Sequence, residues 1–169
     1  MIEEEPIEFR TGIGTDIHRL VGGRKLMLGG VQIPYPLGLL GHSDGDAVLH
    51  AIIDALLGAA GMGDIGTLFP DTDAKWKDAD SKGLLLIVKE KIAEKKWDII
   101  NVDVTIHAEL PRLEPFKGQI KRVIAGLLGI DFNAANVKAK TNEGLGEIGE
   151  GMAIAATAVA MLRKKIKRI

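Results

Sequence analysis

The chain contains no cysteine among its 169 residues. This absence excludes disulfide bonds, a catalytic thiolate and any zinc site built on cysteine ligands. Aromatic residues make up only 4% of the chain, whereas 21 residues are glycine. The core must therefore consist of small aliphatic side chains in close contact, and such a core favours additional burial through oligomerisation.

An excess of basic residues is also missing. The formal net charge is −1 at pH 7, so the overall charge favours neither nucleic acid nor an anionic membrane as a partner. The apolar stretches fall short of the roughly 20 residues that span a bilayer, and the acidic N-terminus does not resemble a secretion signal. We therefore expect a soluble protein without nucleic-acid or membrane partners. Its expected location is the cytoplasm, or a plastid if the chain is a processed plant protein.

Strand-like and helix-like segments alternate along the chain. This order predicts an α/β fold of the α+β sandwich type, with one mainly four-stranded mixed sheet and helices packed on one face. Strand patterns are found at 7–20, 25–33, 100–110 and 136–141, and the first two flank the turn VGGR and predict a hairpin. Helical spacing is found at 44–60, 81–97, 115–130 and 151–168.

The remaining segments are expected to be irregular. Glycine and proline in 34–43 predict a loop, and 63–81 is expected to be a loop with one short helical turn. The basic run at 163–168 is expected to end the last helix, where positive charge complements the helix dipole. Residues 1–7 are predicted to form a solvated tail, and residues 8–169 a single domain.

Three of the four histidines lie beside acidic residues. Asp16 and His18 are two residues apart, so on a strand both side chains emerge from the same face. With a third ligand from His42, His50 or His107, the pair could hold zinc with one position left open, which is the arrangement of catalytic zinc sites. His50 lies one helical turn from acidic residues on either side, so a carboxylate could orient its imidazole.

His42 directly precedes a predicted helix, where backbone N–H groups and the helix dipole favour an anion such as phosphate. Structural explanations also fit these residues. Ser43 or Asp44 is a natural N-cap, Ser43 and Asp46 fit a capping box, and His50 fits a hydrogen-bonded core histidine. His107 lies on the polar side of its predicted strand, which favours a surface or an interface. The residues alone do not decide between these readings.

Four segments together resemble the 2-C-methyl-D-erythritol 2,4-cyclodiphosphate synthase family of non-mevalonate isoprenoid precursor synthesis. They are GIGTDIH (12–18), GLLGHSDGDAVLHAIIDALLGAAGMGDIGTLFPDTD (38–73), NVDVTIHAELPRL (101–113) and NVKAKTNEGLG (136–146). The likeness runs from about Phe9 to the C-terminal segment. It implies a catalytic α/β subunit that assembles as a homotrimer, with each active site between neighbouring subunits.

The resemblance implies the site residues by position. Asp16, His18 and His50 match the family's zinc ligands. Glu143 matches the ligand of a second divalent ion, Mg²⁺ or Mn²⁺, on the phosphates. His42 and Ser43 match the residues that hold the diphosphate, and Thr141 matches a threonine that helps stabilise the transition state; His42 and Thr141 are the expected catalytic residues. The walls expected to bind the methylerythritol are Asp64, Ile65, Gly66, Phe69, Pro70, Asp71, Thr72 and Asp73. The expected cytidine pocket comprises Ala108, Glu109, Leu110, Pro111, Arg112, Leu113, Glu114, Lys140, Thr141, Asn142 and Glu143.

The implied reaction converts 4-diphosphocytidyl-2-C-methyl-D-erythritol 2-phosphate to the 2,4-cyclodiphosphate and CMP. Because phosphate attacks phosphate, two divalent cations would offset the repulsion and align the reacting groups. Neither a protein nucleophile nor a strong base is required, since the attacking phosphate is already ionised. The alternatives are a zinc-dependent phosphohydrolase of a nucleotide-linked substrate, which would need a water-activating base, and a non-catalytic metal-binding module, which would not need Thr141 and Glu143.

The chain also departs from many bacterial members of that family. Thr15 stands where they carry phenylalanine, and Glu147 and Glu150 stand where they carry phenylalanine and arginine. In those members these positions line a cavity on the trimer axis, and the arginine faces an isoprenoid diphosphate. Glutamates there would repel such an anion, so we expect this chain to lack the central ligand. Arg112 and Lys140, where lysine and threonine are common, are expected to alter only nucleotide affinity.

Overall fold

The computed structural model describes residues 5–166. Its main sheet is built from five strands: β1 Ile7–Gly22, β4 Leu37–Leu39, β5 Asp98–His107, β6 Ala135–Lys140 and β7 Ala153–Lys165. They lie in the order β4-β1-β7-β5-β6. Only the pair β5 and β6 is parallel, and the other neighbours are antiparallel. The sheet is therefore mixed, as expected, with one strand more than the predicted four.

Three long helices cover one face of this sheet. The long helices are α1 Ala47–Ala60, α3 Ser81–Glu94 and α4 Lys117–Leu128, and two short helices are α2 Ile65–Leu68 and α5 Gly146–Gly149. Helix α1 packs on β1 and β7, α4 packs on β6, and α3 packs on α1 and α4. The predicted helices at 44–60, 81–97 and 115–130 are thus confirmed with shorter bounds. Within residues 5–166, no helix combines the length and the apolar character needed to cross a membrane.

Two glycines allow α1 to lie directly on β1. A Cβ atom at Gly12 would overlap the carbonyl oxygen of Ala55, and one at Gly14 would overlap the carbonyl oxygen of Ala51. Every second residue of β1 therefore faces α1. Asp16 and His18 continue this series, so the fold points both side chains toward the helix that carries His50.

The predicted closing helix at 151–168 is wrong, because most of this segment is strand β7. The strand lies in the middle of the sheet and pairs with β1 on one side and β5 on the other. Ala156, Ala158, Ala160 and Leu162 are buried, and the residues between them are more exposed. Alanine has the highest helix propensity, yet the period of two in burial, set by two partner strands, decides the structure. The basic residues up to Lys165 therefore continue a strand, and residues 167–168 lie outside the described part.

The predicted hairpin between 7–20 and 25–33 is also wrong. Strand β1 pairs with β4 and β7, whereas β2 Leu26–Leu28 and β3 Val31–Ile33 pair with each other in a separate two-stranded sheet. Gly29 and Gly30, both with positive φ, form the turn between them. The segment 34–43, predicted as a loop, contains the edge strand β4. The segment 63–81 contains α2 and a 3₁₀ turn at Ala74–Trp76 rather than one helical turn.

The face of the sheet that points away from α1 is apolar and open in the single chain. Ile7, Phe9, Ile13 and Ile17 of β1 are between 48% and 67% exposed, and Val159 of β7 is 44% exposed. Strand β1 begins at Ile7, opposite Lys165, so this residue of the expected tail belongs to the sheet. Residues 1–4 of that tail lie outside the described part of the chain.

Candidate metal centre and substrate cavity

Three side chains meet where β1 passes the first turn of α1. Oδ2 of Asp16 lies 2.7 Å from Nε2 of His18 and 2.9 Å from Nδ1 of His50. The two ring nitrogens are 3.3 Å apart. Among the described residues, these three form the cluster with metal-ligand geometry. The third partner of Asp16 and His18 is therefore His50, and not His42 or His107.

Hydrogen bonds on the far side of each ring decide which nitrogen faces the cluster. Nδ1 of His18 lies 2.6 Å from the carbonyl oxygen of Leu40. A carbonyl oxygen only accepts, so Nδ1 carries a proton and Nε2 is the nitrogen that faces the cluster. Nε2 of His50 lies 3.0 Å from Oγ of Ser43 and 2.9 Å from Oγ of Ser81, which leaves Nδ1 for the cluster.

The cluster also shifts the pKa values of its members. Burial opposes ionisation of Asp16, but hydrogen bonds from His18 and His50 hold the pKa of this carboxyl well below its usual range. Burial likewise acts to lower the pKa of His18, but the hydrogen bond and the negative charge of Asp16 raise it above the usual 6.5 of a histidine. The carboxyl group of Asp16 is therefore ionised near neutral pH, which favours a cation at this site.

A divalent metal ion fits these three residues. Their donor atoms are one carboxylate oxygen and two imidazole nitrogens, a set that zinc accepts. In a tetrahedral zinc site, with ligands roughly 2 Å from the ion, neighbouring ligand atoms are about 3.3 Å apart. The two ring nitrogens, 3.3 Å apart, match this value, whereas the separations of 2.7 and 2.9 Å from Asp16 are shorter and are hydrogen-bond distances. Both histidines are already oriented by partners outside the cluster, as ligating histidines are in known sites.

The start of α1 differs from the predicted capping box. Asp46 is itself the N-cap and accepts a hydrogen bond from the N–H of Leu49 at 3.0 Å. Its carboxylate also accepts from the N–H groups of Gly29 and Gly30, which ties the β2–β3 turn to the helix. Burial raises the pKa of Asp46. Ser43 is free of the capping role, and its hydroxyl accepts from the N–H of Gly45 and faces His50.

The cluster forms one wall of a cavity of about 210 Å³. Its lining residues are Asp16, His18, His42, Ser43, His50, Ile65, Gly66, Phe69, Asp71, Trp76 and Leu84. Nε2 of His42 is buried and finds no hydrogen-bond partner among the described residues. An unpaired buried nitrogen is costly unless a ligand completes it, so this atom is suited to contact a bound substrate.

The predicted methylerythritol walls are only partly in this cavity. Ile65, Gly66, Phe69 and Asp71 line it, whereas Pro70 and Thr72 do not. Asp64 and Asp73 act as N-caps: Asp64 accepts from Thr67 at the start of α2, and Asp73 accepts from Lys75 in the 3₁₀ turn. Trp76 and Leu84 line the cavity but were not predicted. The ring of Trp76 stacks edge-on against Phe69 with centroids 4.8 Å apart, a pairing that the sequence does not indicate.

The predicted cytidine-pocket segments lie together in a different place. Residues 108–114 follow β5 and residues 140–143 end and follow β6, and the two strands are parallel neighbours. The N–H of Ala108 donates to the carbonyl of Lys140, and the N–H of Asn142 donates to the carboxylate of Glu109. The hydroxyl of Thr141 donates to Glu143 at 3.2 Å. Within residues 5–166, none of these residues lines the cavity beside the metal cluster.

Comparison with known proteins decides the family. The model of the YgbB family matches residues 9–163. The chain belongs to this family. The YgbB match includes all three residues of the metal cluster, His42, Ser43 and both segments of the predicted cytidine pocket.

Named relatives of this YgbB chain are cyclodiphosphate synthases. It is 55% identical over 153 residues to the 2-C-methyl-D-erythritol 2,4-cyclodiphosphate synthase of Treponema denticola, covering 90% of this chain and 95% of the relative. The bifunctional IspDF structure from Campylobacter jejuni is 43% identical with a TM-score of 0.91, covering 94% of this chain and 43% of that protein. The IspF–CDP complex of Plasmodium falciparum is 39% identical with a TM-score of 0.82, covering 94% of this chain and 97% of that protein.

Proposed function

We propose that this YgbB chain is a cyclodiphosphate synthase, an enzyme that acts on phosphorus–oxygen bonds in isoprenoid precursor synthesis. Its substrate is 4-diphosphocytidyl-2-C-methyl-D-erythritol 2-phosphate. An oxygen of the 2-phosphate attacks the β-phosphorus, the bond from that phosphorus to the CMP oxygen breaks, and CMP leaves. The observation that carries this proposal is the meeting of the Asp16, His18 and His50 cluster with His42 and Ser43 in one cavity, in a chain 55% identical to a named synthase.

The cavity residues are assigned to phosphate binding. Asp16, His18 and His50 hold zinc, which when bound offsets the charge on a phosphate oxygen and lowers the repulsion between the reacting groups. His42 directs its unpaired Nε2 at the diphosphate, and Ser43 offers its hydroxyl beside it. The apolar side chains of Ile65, Phe69 and Trp76 exclude water from the methylerythritol. Positioning in a water-poor cavity is what this reaction needs, because the attacking phosphate already carries its negative charge.

The residues around the ends of β5 and β6 are assigned to the cytidine. Residues 108–114 and Lys140 to Glu143 form the nucleotide pocket, with Thr141 acting on the transition state and Glu143 holding a second ion, Mg²⁺ or Mn²⁺. A related structure contains CDP, which supports a cytidine ligand for this chain. The nucleotide residues and the metal cluster occupy separate places in one chain, so one active site would combine the cluster of one subunit with the pocket of its neighbour.

A homotrimer would bring these halves together. The open apolar face of the sheet supports assembly, because five large aliphatic or aromatic side chains are exposed on neighbouring strands there. The same face is the natural candidate for contact between subunits, as the helices already cover the other face. The cytoplasmic location expected from the sequence stays a prediction.

We also propose that the trimer lacks a central isoprenoid diphosphate ligand. Glu147 and Glu150 are exposed and would repel such an anion. Thr15 is in register with Thr157, which is in register with Thr105, so a row of hydroxyls crosses three strands of the open face. Native mass spectrometry with farnesyl diphosphate tests this, and retention of one ligand per trimer would overturn it.

The reaction itself is tested by phosphorus NMR of the purified protein with its substrate and Mg²⁺, with and without a zinc chelator. Metal-dependent formation of CMP and the cyclic diphosphate is the expected result. CMP with an open-chain product would instead identify a phosphohydrolase. That alternative is not favoured, because named relatives that share 53–55% identity with this chain are synthases.

A further inference from the structure

Ser81, the first residue of α3, has a buried hydroxyl beside the metal cluster. The residue is completely buried, although serine is usually exposed. Its hydroxyl contacts two side chains: Nε2 of His50 at 2.9 Å and the carboxylate of Asp44. Neither the capping of α3, which Asp80 performs, nor the core requires this hydroxyl. The contact with His50 therefore needs its own explanation.

The hydrogen bonds around Asp44 fix the direction of this network. The backbone N–H of Ser81 donates to Oδ2 of Asp44, and the backbone N–H of Asp46 donates to Oδ1, both at 3.1 Å. Backbone N–H groups can only donate, so both oxygens of Asp44 act as acceptors. The single proton of the Ser81 hydroxyl is therefore given to Oδ1 of Asp44.

A hydroxyl that donates its only hydrogen to Asp44 can only accept a hydrogen bond from the imidazole. Nε2 of His50 must then be the donor in its contact with Ser81. When Nε2 carries the proton, the nitrogen left to bind a cation is Nδ1, which lies 2.9 Å from Asp16 and 3.3 Å from Nε2 of His18. The nearby hydroxyl of Ser43 is able to accept from the same N–H and does not alter this order.

We propose that Asp44 and Ser81 form a relay that positions His50 for the metal. Asp44 accepts the proton of the Ser81 hydroxyl and so fixes the orientation of that hydroxyl. The Ser81 oxygen then accepts from Nε2 of His50, which fixes the protonated nitrogen and the orientation of the ring. The inference rests on the metal site of the proposed function. Both are positioning residues, since they act through His50 and neither lines the cavity. The relay joins the loop before α1 to the start of α3 across 37 residues, so the packing of these helices sets the metal ligand.

Zinc affinity of purified variants, measured by competition with a chromophoric chelator, tests the relay. Ser81→Ala should weaken zinc binding by roughly ten- to a hundredfold, the usual effect of removing a group that orients a ligating histidine. Asp80→Ala is the matched control, because it disturbs the start of the same helix from an exposed position that does not touch His50. It should stay within about twofold of the parent protein, because the loss of Asp80 removes no group that orients His50.

Asp44→Asn provides the second arm, since an amide has only one oxygen for the two donors of Ser81. It should also weaken zinc binding, and the double variant with Ser81→Ala should lose no more affinity than Ser81→Ala alone. Additive losses, unchanged affinity of Ser81→Ala, or equal losses in Ser81→Ala and Asp80→Ala would each overturn the relay.

Nitrogen NMR of histidine-labelled protein gives a readout that does not depend on zinc or on turnover. Nε2 of His50 should be protonated in the parent protein both with and without zinc, and its signal should shift in Ser81→Ala. An unprotonated Nε2 in the parent would overturn the relay even if zinc binds. Failure of the parent to bind zinc, with Nε2 protonated and shifted by Ser81→Ala, would count against the proposed metal site and leave the relay supported.

Discussion

At the scale of single residues, the two histidines beside the start of α1 are expected to have different roles. His50 belongs to the metal cluster, whereas His42 lines the same cavity and its Nε2 has no hydrogen-bond partner within residues 5–166. His50→Ala should therefore lose bound zinc and nearly all activity. His42→Ala should keep its zinc and lose turnover by about a hundredfold or more, the usual effect of removing one charge-stabilising donor. Metal analysis and steady-state kinetics check both, and equal zinc loss would contradict the division.

The Asp16–His18 pair gives the metal-free protein a pH-dependent stability. Because Asp16 raises the pKa of His18 above 6.5, the charged pair stabilises the folded state fully below pH 6.5, and this contribution is lost as pH rises through the folded pKa of His18. Asp16 stays ionised throughout this window, since its own pKa is lowered. In a chelator, the free energy of unfolding of the parent relative to His18→Gln should thus fall from pH 6 upward. Asp16→Asn should remove the trend, and a parent advantage that grows with pH would contradict it.

The residue pattern predicted the metal cluster better than its surroundings. The spacing of Asp16 and His18 on a strand already placed both on one face, and the resemblance selected His50 as their partner. The positions of Ser81 and Trp76 could not be predicted, because they depend on how the segment after α2 folds back over the cavity. Asp64 and Asp73 accept capping hydrogen bonds at α2 and at the 3₁₀ turn, and their expected contact with substrate stays a prediction.

At the scale of secondary structure, strand β1 and helix α1 pack in direct contact because Gly12 and Gly14 of β1 have no side chains. Gly14→Ala would place a Cβ on the carbonyl oxygen of Ala51, so α1 would have to move away from β1. We expect a loss of about 1–3 kcal/mol in the free energy of unfolding, the usual cost of overpacking, together with weaker zinc binding, because His50 would move from Asp16. Denaturant unfolding and chelator competition measure the two effects.

A second glycine provides the control for this prediction. Gly83 lies on the exposed side of α3, and a Cβ there meets nothing within 4 Å. Gly83→Ala should therefore stabilise the protein by up to about 1 kcal/mol through helix propensity. If Gly14→Ala were as stable as the parent while binding zinc normally, the close contact between α1 and β1 would not be required.

Sequence patterns predicted some helices correctly but gave the wrong secondary structure for β7 and the wrong pairing for β1. Helices with wide apolar faces, such as α1, were predicted because their period is unambiguous. Strand β7 was predicted as a helix because alanine fills it, and alanine carries helix propensity without showing which face is buried. Small side chains at 156, 158 and 160 are needed there because α1 lies close above the strand. The pairing partners of β1 were also missed, since β7 lies more than 130 residues later in the sequence.

At the scale of the whole molecule, the open sheet face is expected to join subunits. Ile13 is 67% exposed in the single chain and lies in the middle of this face. Ile13→Glu would bring a charge into the interface and should yield a monomer, since an unpaired buried charge is strongly unfavourable. Leu86→Glu is the control, because Leu86 is 41% exposed on α3, away from the sheet. Sedimentation equilibrium should show a trimer for the parent and for Leu86→Glu.

The monomer would separate the two halves of the proposed active site. All three metal ligands come from one chain, so Ile13→Glu should bind zinc with the affinity of the parent. Its turnover should nevertheless be almost abolished, because the cytidine pocket around β5 and β6 would no longer face a neighbour's cluster. Adding the parent protein to Ile13→Glu should not restore the turnover of the variant, because the charge still blocks its open sheet face. A monomeric variant with full activity would show that one chain contains a complete site, and it would overturn the shared arrangement while leaving the metal cluster intact.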